Sequence, residues 1–303
     1  MFFTKISNLE DDNIEYFLEL LFNILFRIIF EIKMMKKYFS LLAVALLGSC
    51  ATNPFTGSKT MALVSDSSLF PTSFQQYDSF LKEHKVITGT KDAQRVENVG
   101  GKIRMAAEKW LNANGYKGYL DGYRWEYHLI DSKEPNAWCM PGGKIVFYTG
   151  ILPICQTDAG IATVMGHEVA HALANHGQQR MSAGMLQELG AEALNAATSS
   201  KSQQTQQLFQ MAYGGGSQVL GMLPFSRSHE SEADKIGLTL MAIAGYDPNE
   251  AVSFWSRMAS GAEASGQSDF LSTHPSNQTR ISELKRLIPE ARAEALKFGV
   301  TFK

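Results

Sequence analysis

Residues His167, Glu168, Val169, Ala170 and His171 form a single HExxH sequence inside a run that reads as a helix. Positions four apart on a helix share one face about one turn apart. His167 and His171 can therefore grip one metal ion while Glu168 points at water polarised by that ion. A catalytic zinc site needs three protein ligands and one open position, so a second element must supply the third.

The chain has 303 residues, 45% hydrophobic and 19% charged, with net charge −2. This ordinary globular composition gives no electrostatic case for nucleic acid, and the length suits one domain with an ample core. The three cysteines, Cys50, Cys139 and Cys155, exclude a disulfide scaffold.

Met34-Met35-Lys36-Lys37 supplies a basic start, Tyr38–Leu47 a short apolar core, and Gly48-Ser49-Cys50 a small-residue ending, the outline of a signal peptide. The ending resembles the lipobox of bacterial lipoproteins. That resemblance implies Cys50 as the lipidated first residue of the mature protein, and Ala51 after it implies the outer membrane, with the protein facing the periplasm. Upstream, the apolar run Phe17–Phe30 is interrupted by Glu19, Asn23 and Arg27 and falls short of about 20 clean apolar residues. The expected organisation is an extra or mis-annotated extension over 1–33, with translation starting at Met34 or Met35. A second membrane-associated helix is the alternative for that extension. A signal peptide follows over 34–49, then a tether over 50–64 and a metallopeptidase domain over 65–303.

Apolar spacing predicts helices over Leu69–His84 and Asp92–Asn112, the latter through Val96, Val99, Ile103, Ala106, Ala107 and Trp110. Arg124–Ile130 and Lys144–Thr149 read as strands of a small sheet, the second preceded by the turn Pro141-Gly142-Gly143. The metal helix is expected over Asp158–His176, capped by Thr157 or Asp158 and stopped by Gly177. Ala196–Pro224 reads as a linker or lid. Further helices are expected over His229–Ala244, from Asp247-Pro248, and over Pro275–Leu287. The fold class is α+β, mostly helical, of zincin type, with a small β-sheet that has an exposed edge strand.

The third ligand is testable by position. Astacin-like and matrix-type enzymes would carry Gly at 174 and His at 177, where this chain has Ala174 and Gly177. Thermolysin-like and aminopeptidase-like enzymes would carry Glu where Gly190 and Ala191 stand. Glu230-Ser231-Glu232-Ala233-Asp234 lies on a predicted helix, with Glu230 and Asp234 on one face and Glu232 roughly opposite. Glu230 can then ligate the metal while Asp234 accepts a hydrogen bond from the free ring nitrogen of a ligand histidine. A solvated acidic face is the plainer alternative. His176, five residues after His171, falls off the ligand face, and with His229, His128 and His84 is read as structural.

The segments 167–177, Leu223-Pro224-Phe225-Ser226-Arg227 and Glu230–Asp234 together resemble the HtpX/CAAX-protease group of gluzincin zinc metallopeptidases. Within it they are similar to the bacterial lipoprotein branch that includes BepA and LoiP. The resemblance runs from Asn53-Pro54 to His274-Pro275. It implies one Zn2+ per chain held by His167, His171 and Glu230, with Glu168 as general base. It also implies polypeptide substrates, and outer-membrane assembly machinery as a partner. His274 is the candidate donor to the developing oxyanion, and the resemblance offers a second role for it, as a resting-state zinc ligand whose loop must move. Arg280 is a candidate for contact with the substrate or oxyanion, with a solvated arginine as the alternative. Asn136–Gly143 resembles the segment before the active-site edge strand, which makes Asn136 the candidate substrate contact by strand addition. Cys139 is not expected to be catalytic.

The expected function is a zinc-dependent endopeptidase acting on misfolded or misassembled envelope proteins. Two alternatives stand beside it. One is a chaperone or assembly factor with a latent, His-plugged site; the other is a metal-dependent hydrolase of cell-wall or small amide substrates.

Overall fold

The helix over Asp158–Leu173 is buried from Gly160 onward, its polar His167, Glu168 and His171 included, as a helix is when the rest of the fold wraps around it. The computed structural model describes residues 22, 26, 27, 30, 33, 50–61, 65–180, 182, 226–265, 270, 271, 274 and 278–302. The expected signal peptide over 34–49, most of the expected extension over 1–33 and the expected lid over 196–224 lie outside the described residues. The chain divides into two compact units, Met1–Cys50 and Ala51–Lys303. In the first, residues 22, 26, 27, 30 and 33 are helical.

The second unit opens with a ribbon of β1 (Cys50–Thr52) and β2 (Lys59–Met61), then α1 (Asp66–Glu83), β3 (Val86–Ile87) and α2 (Lys91–Ala113). Strands β4 (Glu126–Ile130), β5 (Ala137–Met140) and β6 (Lys144–Tyr148) follow, and a short α3 (Leu152–Cys155) leads into α4 (Asp158–Leu173). Helices α5 (Arg227–Ile243), α6 (Asn249–Ser265) and α7 (Gln278–Lys297) complete it. The four-stranded sheet has the order β3-β4-β6-β5. Strands β4 and β6 run parallel, pairing Glu126 with Lys144 through Ile130 with Tyr148. Strand β5 lies antiparallel at the edge, pairing Ala137 with Phe147. The segment expected to precede the edge strand therefore contains that strand, which packs alongside α4.

Helix α2 presents the expected stripe of Val96, Val99, Ile103, Ala106, Ala107 and Trp110 to the core, where it packs on α4 and β4. Thr157 caps α4, its hydroxyl accepting from the Gly160 amide at 3.0 Å. Ser226 does the same for α5, accepting from the His229 amide at 3.3 Å.

The helix and strand bounds shift by one to three residues at α1, α2 and β4, and two helix ends depart from expectation for structural reasons. Helix α4 stops at Leu173 rather than at Gly177, because Asn175 takes a left-handed conformation at φ 57°. Asparagine is among the few residues that tolerate it. Residues 176–180 are helical again in a new direction. Helix α7 runs through Pro289 to Lys297 instead of ending near Leu287. Leu284, Leu287 and Ile288 before the proline, and Ala291 and Ala295 after it, are all buried, and this packing outweighs the one backbone hydrogen bond a proline removes.

Helices α4 and α5 approach so closely that their backbones touch. A Cβ placed on Gly166 would lie 2.8 Å from the Gly237 carbonyl oxygen, and one on Gly237 would lie 2.9 Å from the His167 nitrogen. Forcing a methyl against a backbone costs about 1–3 kcal/mol, more than the roughly 1 kcal/mol of helix propensity that alanine returns. At the upper end of that cost Gly237→Ala is expected to lower stability by up to about 2 kcal/mol net, a drop of up to roughly 8 °C in thermal unfolding. An unchanged Tm would mean the two helices can separate freely.

Candidate metal centre

Four buried side chains converge above that contact. His167 and His171 come from one face of α4, Glu230 from the first turn of α5, and His274 from the chain between α6 and α7. One ligand atom of each lies within 4.8 Å of all the others. The Nε2 atoms of His167 and His171 are 3.1 Å apart, and His167 Nε2 is 3.2 Å from His274 Nδ1. Glu230 Oε1 lies 3.3 Å from His171 Nε2 and 2.9 Å from His274 Nδ1. Ligand atoms held at about 2.0–2.1 Å around a tetrahedral ion are themselves about 3.3 Å apart. Two imidazoles, a carboxylate and a further imidazole at these spacings fit a four-coordinate zinc ion in both donor chemistry and size.

Glu168 completes the inner group. Its Oε1 is buried, has no hydrogen-bond partner among the described residues, and lies 3.5 Å from His274 Nε2. Burial pushes this carboxyl above the usual range, although His274 and His167 pull the other way.

The ligands are oriented from behind. Asp234 Oδ1 accepts from His167 Nδ1 at 3.0 Å, which turns the bare Nε2 toward the cluster. Arg280 is 8% exposed, and it grips Asp234 through Nε at 2.8 Å and Nη2 at 2.7 Å. Its Nη1 lies 3.0 Å from Glu230 Oε2, and its guanidinium stacks 3.4 Å from the centre of the Trp255 ring. The expectation that Arg280 meets substrate is corrected: the side chain is buried because its planar fork matches two carboxylates at once. Burial works to raise the Asp234 carboxyl, but Arg280 and His167 hold it below its ordinary value.

Burial also opposes charge on both ligand histidines, with opposite outcomes. Glu230 and Asp234 outweigh it at His167, lifting that imidazole to about 9. At His171 burial wins, and the imidazole is driven well below its ordinary range. Glu230 stays ionised: burial works against this, but His167 and the hydrogen bonds from the three histidines lower its pKa.

His176 and Glu232 were not legible as part of the site. The break at Asn175 brings His176 Nδ1 to 2.8 Å from His171 Nδ1, and Glu232 Oε2 meets His176 Nε2 at 2.8 Å. The signal available was Asn175 itself, a residue that favours the left-handed turn, directly before a histidine. His229 stacks on His176 with ring centres 4.3 Å apart, while His128 meets the Tyr77 hydroxyl at 2.7 Å, away from the cluster.

Asn136 stands immediately before β5. Its amide donates to Glu134 at 2.8 Å and its carbonyl oxygen accepts from the Ala137 amide at 2.9 Å. Burial, with Glu168 nearby, raises the Cys139 thiol well above its ordinary pKa, so it stays a protonated thiol. Between β5 and α4, Leu69, Cys139, Pro141, His171, Ala172 and Gln178 line a small cleft of about 50 Å³ beside the cluster.

Residues 101–288 match the sequence profile of peptidase family M48. The mitochondrial metalloendopeptidase OMA1 of Saccharomyces cerevisiae is 35% identical over 207 residues, covering 65% of this chain and 56% of its own length. The human mitochondrial metalloendopeptidase OMA1 is 30% identical over 247 residues, covering 79% of this chain and 46% of its own. The β-barrel assembly-enhancing protease of Escherichia coli is 25% identical over 205 residues, 64% of this chain and 41% of its own. The chain thus spans about half the length of the relatives it matches. The relatives of higher identity are mitochondrial by name, and the bacterial branch expected from the signatures is the more distant. This overturns the outer-membrane, periplasm-facing location inferred from the sequence around Cys50. Among the described residues, no helix is long and apolar enough to cross a membrane.

A metal ion needs the bare Nε2 of a neutral His167. With that imidazole lifted to about 9, an ion arriving at lower pH must displace a proton. Zinc affinity, read by chelator competition, is expected to rise by about tenfold per pH unit between about pH 6.5 and 8.5 and to level off near 9. Calorimetry should register the released proton in the same interval. An affinity independent of pH there would show the imidazole to be already neutral.

Proposed function

The chain belongs to peptidase family M48, a family of metallopeptidases, and from that premise we propose that it is a zinc-dependent endopeptidase that cuts misfolded or misassembled proteins. The observation that carries this is the pairing of a His167–His171–Glu230 donor set at zinc-ligand spacing with the buried carboxyl of Glu168 beside it. His167, His171 and Glu230 would hold the ion, and zinc is the default for two imidazoles and a carboxylate. When bound, it supplies Lewis-acid polarisation and lowers the pKa of water toward about 7.

The chain's own residues do the rest. Glu168 takes the proton of the attacking water and returns it to the leaving amine, a task suited to a carboxyl that burial has raised. Asp234 and Arg280 keep His167 and Glu230 in place. Strand β5 is the sheet edge nearest α4, and its outer backbone groups can pair with an extended peptide. Such pairing reads backbone more than sequence, which suits unfolded polypeptide as substrate. Asn136 orders the entry to that strand. The names of the yeast and human relatives supply a mitochondrial setting for this activity.

A second reading has its own observation. His274 Nδ1 occupies the corner of the cluster that a catalytic zinc site leaves open to water. This fits a peptidase whose activity awaits displacement of His274, and equally a chaperone or assembly factor whose metal site stays latent.

Casein hydrolysis by wild type, Glu168→Gln and His274→Ala, each with its zinc content determined, separates the readings. Glu168→Gln is expected to retain zinc and lose about 10²–10⁴-fold in rate. His274→Ala is expected to gain activity. Zinc in all three proteins without cleavage by any would favour the chaperone.

A further inference from the structure

The two ligand histidines of α4 are oriented by different means. His167 Nδ1 meets a carboxylate directly, at Asp234. His171 Nδ1 meets another imidazole, the fully buried His176, whose far nitrogen reaches Glu232. When His171 serves as a metal ligand through Nε2, its hydrogen sits on Nδ1 and is donated to His176 Nδ1. His176 then carries its own hydrogen on Nε2 and donates it to Glu232 Oε2. In this arrangement each donor along the line meets an acceptor.

Glu232 is held in turn from the beginning of the second unit. Its Oε1 accepts from the hydroxyls of Thr56 and, at 2.7 Å, Ser58. These residues sit in a closed turn, in which the Asn53 amide donates to the Ser58 carbonyl at 2.8 Å and the Gly57 amide to the Asn53 carbonyl at 2.8 Å. Phe55 pins the turn to α2, stacking on Trp110 with ring centres 4.3 Å apart and planes inclined by 18°. A continuous line of hydrogen bonds thus runs from Thr56 and Ser58 through Glu232 and His176 to His171. It joins segments far apart in the chain.

We propose that His176 and Glu232 are positioning residues that fix the tautomer and aim of His171, and that the Asn53–Ser58 turn is the outer anchor of this relay. The inference rests on the reading of His167, His171 and Glu230 as metal ligands. It makes metal affinity depend on two hydroxyls at the surface of an N-terminal turn. A histidine that merely fills space at 176 would not do so.

The test uses the full chain and zinc alone as the probe. Zinc affinity is measured by chelator competition for wild type, His167→Ala, His176→Leu, His176→Gln and the double variant Thr56→Val/Ser58→Ala. The visible spectrum of the Co2+-loaded protein is recorded beside each. Loss of such an outer hydrogen-bond partner weakens metal binding about 10–100-fold, and His176→Leu should fall in that range with a shifted cobalt spectrum. Gln at 176 can accept from His171 with its amide oxygen and donate to Glu232 with its NH2, so it should restore most of the affinity. The double variant should weaken zinc by a smaller factor, about 3–10-fold, as the far end of the same relay.

Equal affinities for wild type and folded His176→Leu would overturn the relay, as would glutamine performing no better than leucine. Should His176→Leu fail to fold, the double variant decides: unchanged affinity and spectrum reject the proposal, and weakened affinity supports it. Wild type binding no more tightly than His167→Ala would defeat the ligand set itself, and the relay with it.

Discussion

Gly166 and Gly237 let α4 and α5 meet at backbone distance, and the geometry of the cluster hangs on that meeting. His167 is the next residue after Gly166. Glu230 and Asp234 lie seven and three residues before Gly237, on the same face of α5. Metal-ligand distances tolerate shifts of only about 0.2 Å, whereas a single added methyl at the crossing would push the helices apart by more. Two ordinary side chains at the crossing would leave the same donors present and out of reach of one another.

Bringing the donors together creates an electrostatic problem that a second group of residues resolves. Glu168, Glu230 and Asp234 are all buried carboxyls, and such groups are costly unless paired or hydrogen-bonded. Arg280 answers two of them, with its charge further accommodated on the Trp255 ring. A lysine would bring a point charge without the fork that spans Asp234 and Glu230. Glu168 lies outside the reach of that fork, and its nearest basic neighbour is the His274 ring, with Nε2 3.5 Å from Oε1. The guanidinium therefore compensates the two carboxylates that position, and burial keeps the pKa of the one proposed to react above its ordinary value.

The same division shows in what could be read before the structure. The metal helix, the α2 stripe, strands β4 and β6, and the shared face of Glu230 and Asp234 follow from periodicity, and periodicity is local. Arg280 was placed on a helix correctly but assigned to substrate, because burial of a guanidinium depends on which carboxylates surround it. His176 was set aside by counting residues along an unbroken helix, and the left-handed turn at Asn175 removes the premise of that count. The last helix was expected to end at Leu287, and packing on both sides of Pro289 carries α7 onward. The location inferred from the lipobox-like ending at Cys50 rested on a short signal, and the mitochondrial relatives correct it.

The sequence by itself determined the chemistry: an HExxH on a helix, a Glu and an Asp one turn apart on another, and a histidine beyond them. These are patterns of residue type at fixed local spacing, and a helix converts spacing into direction without help from the rest of the chain. Only the tertiary structure decided which groups meet. The glycine crossing, the seat of His274 at the fourth corner, the burial of Arg280 and the line from Ser58 to His171 all join residues remote in sequence. Their distances are set by how whole helices pack, and no local pattern encodes them.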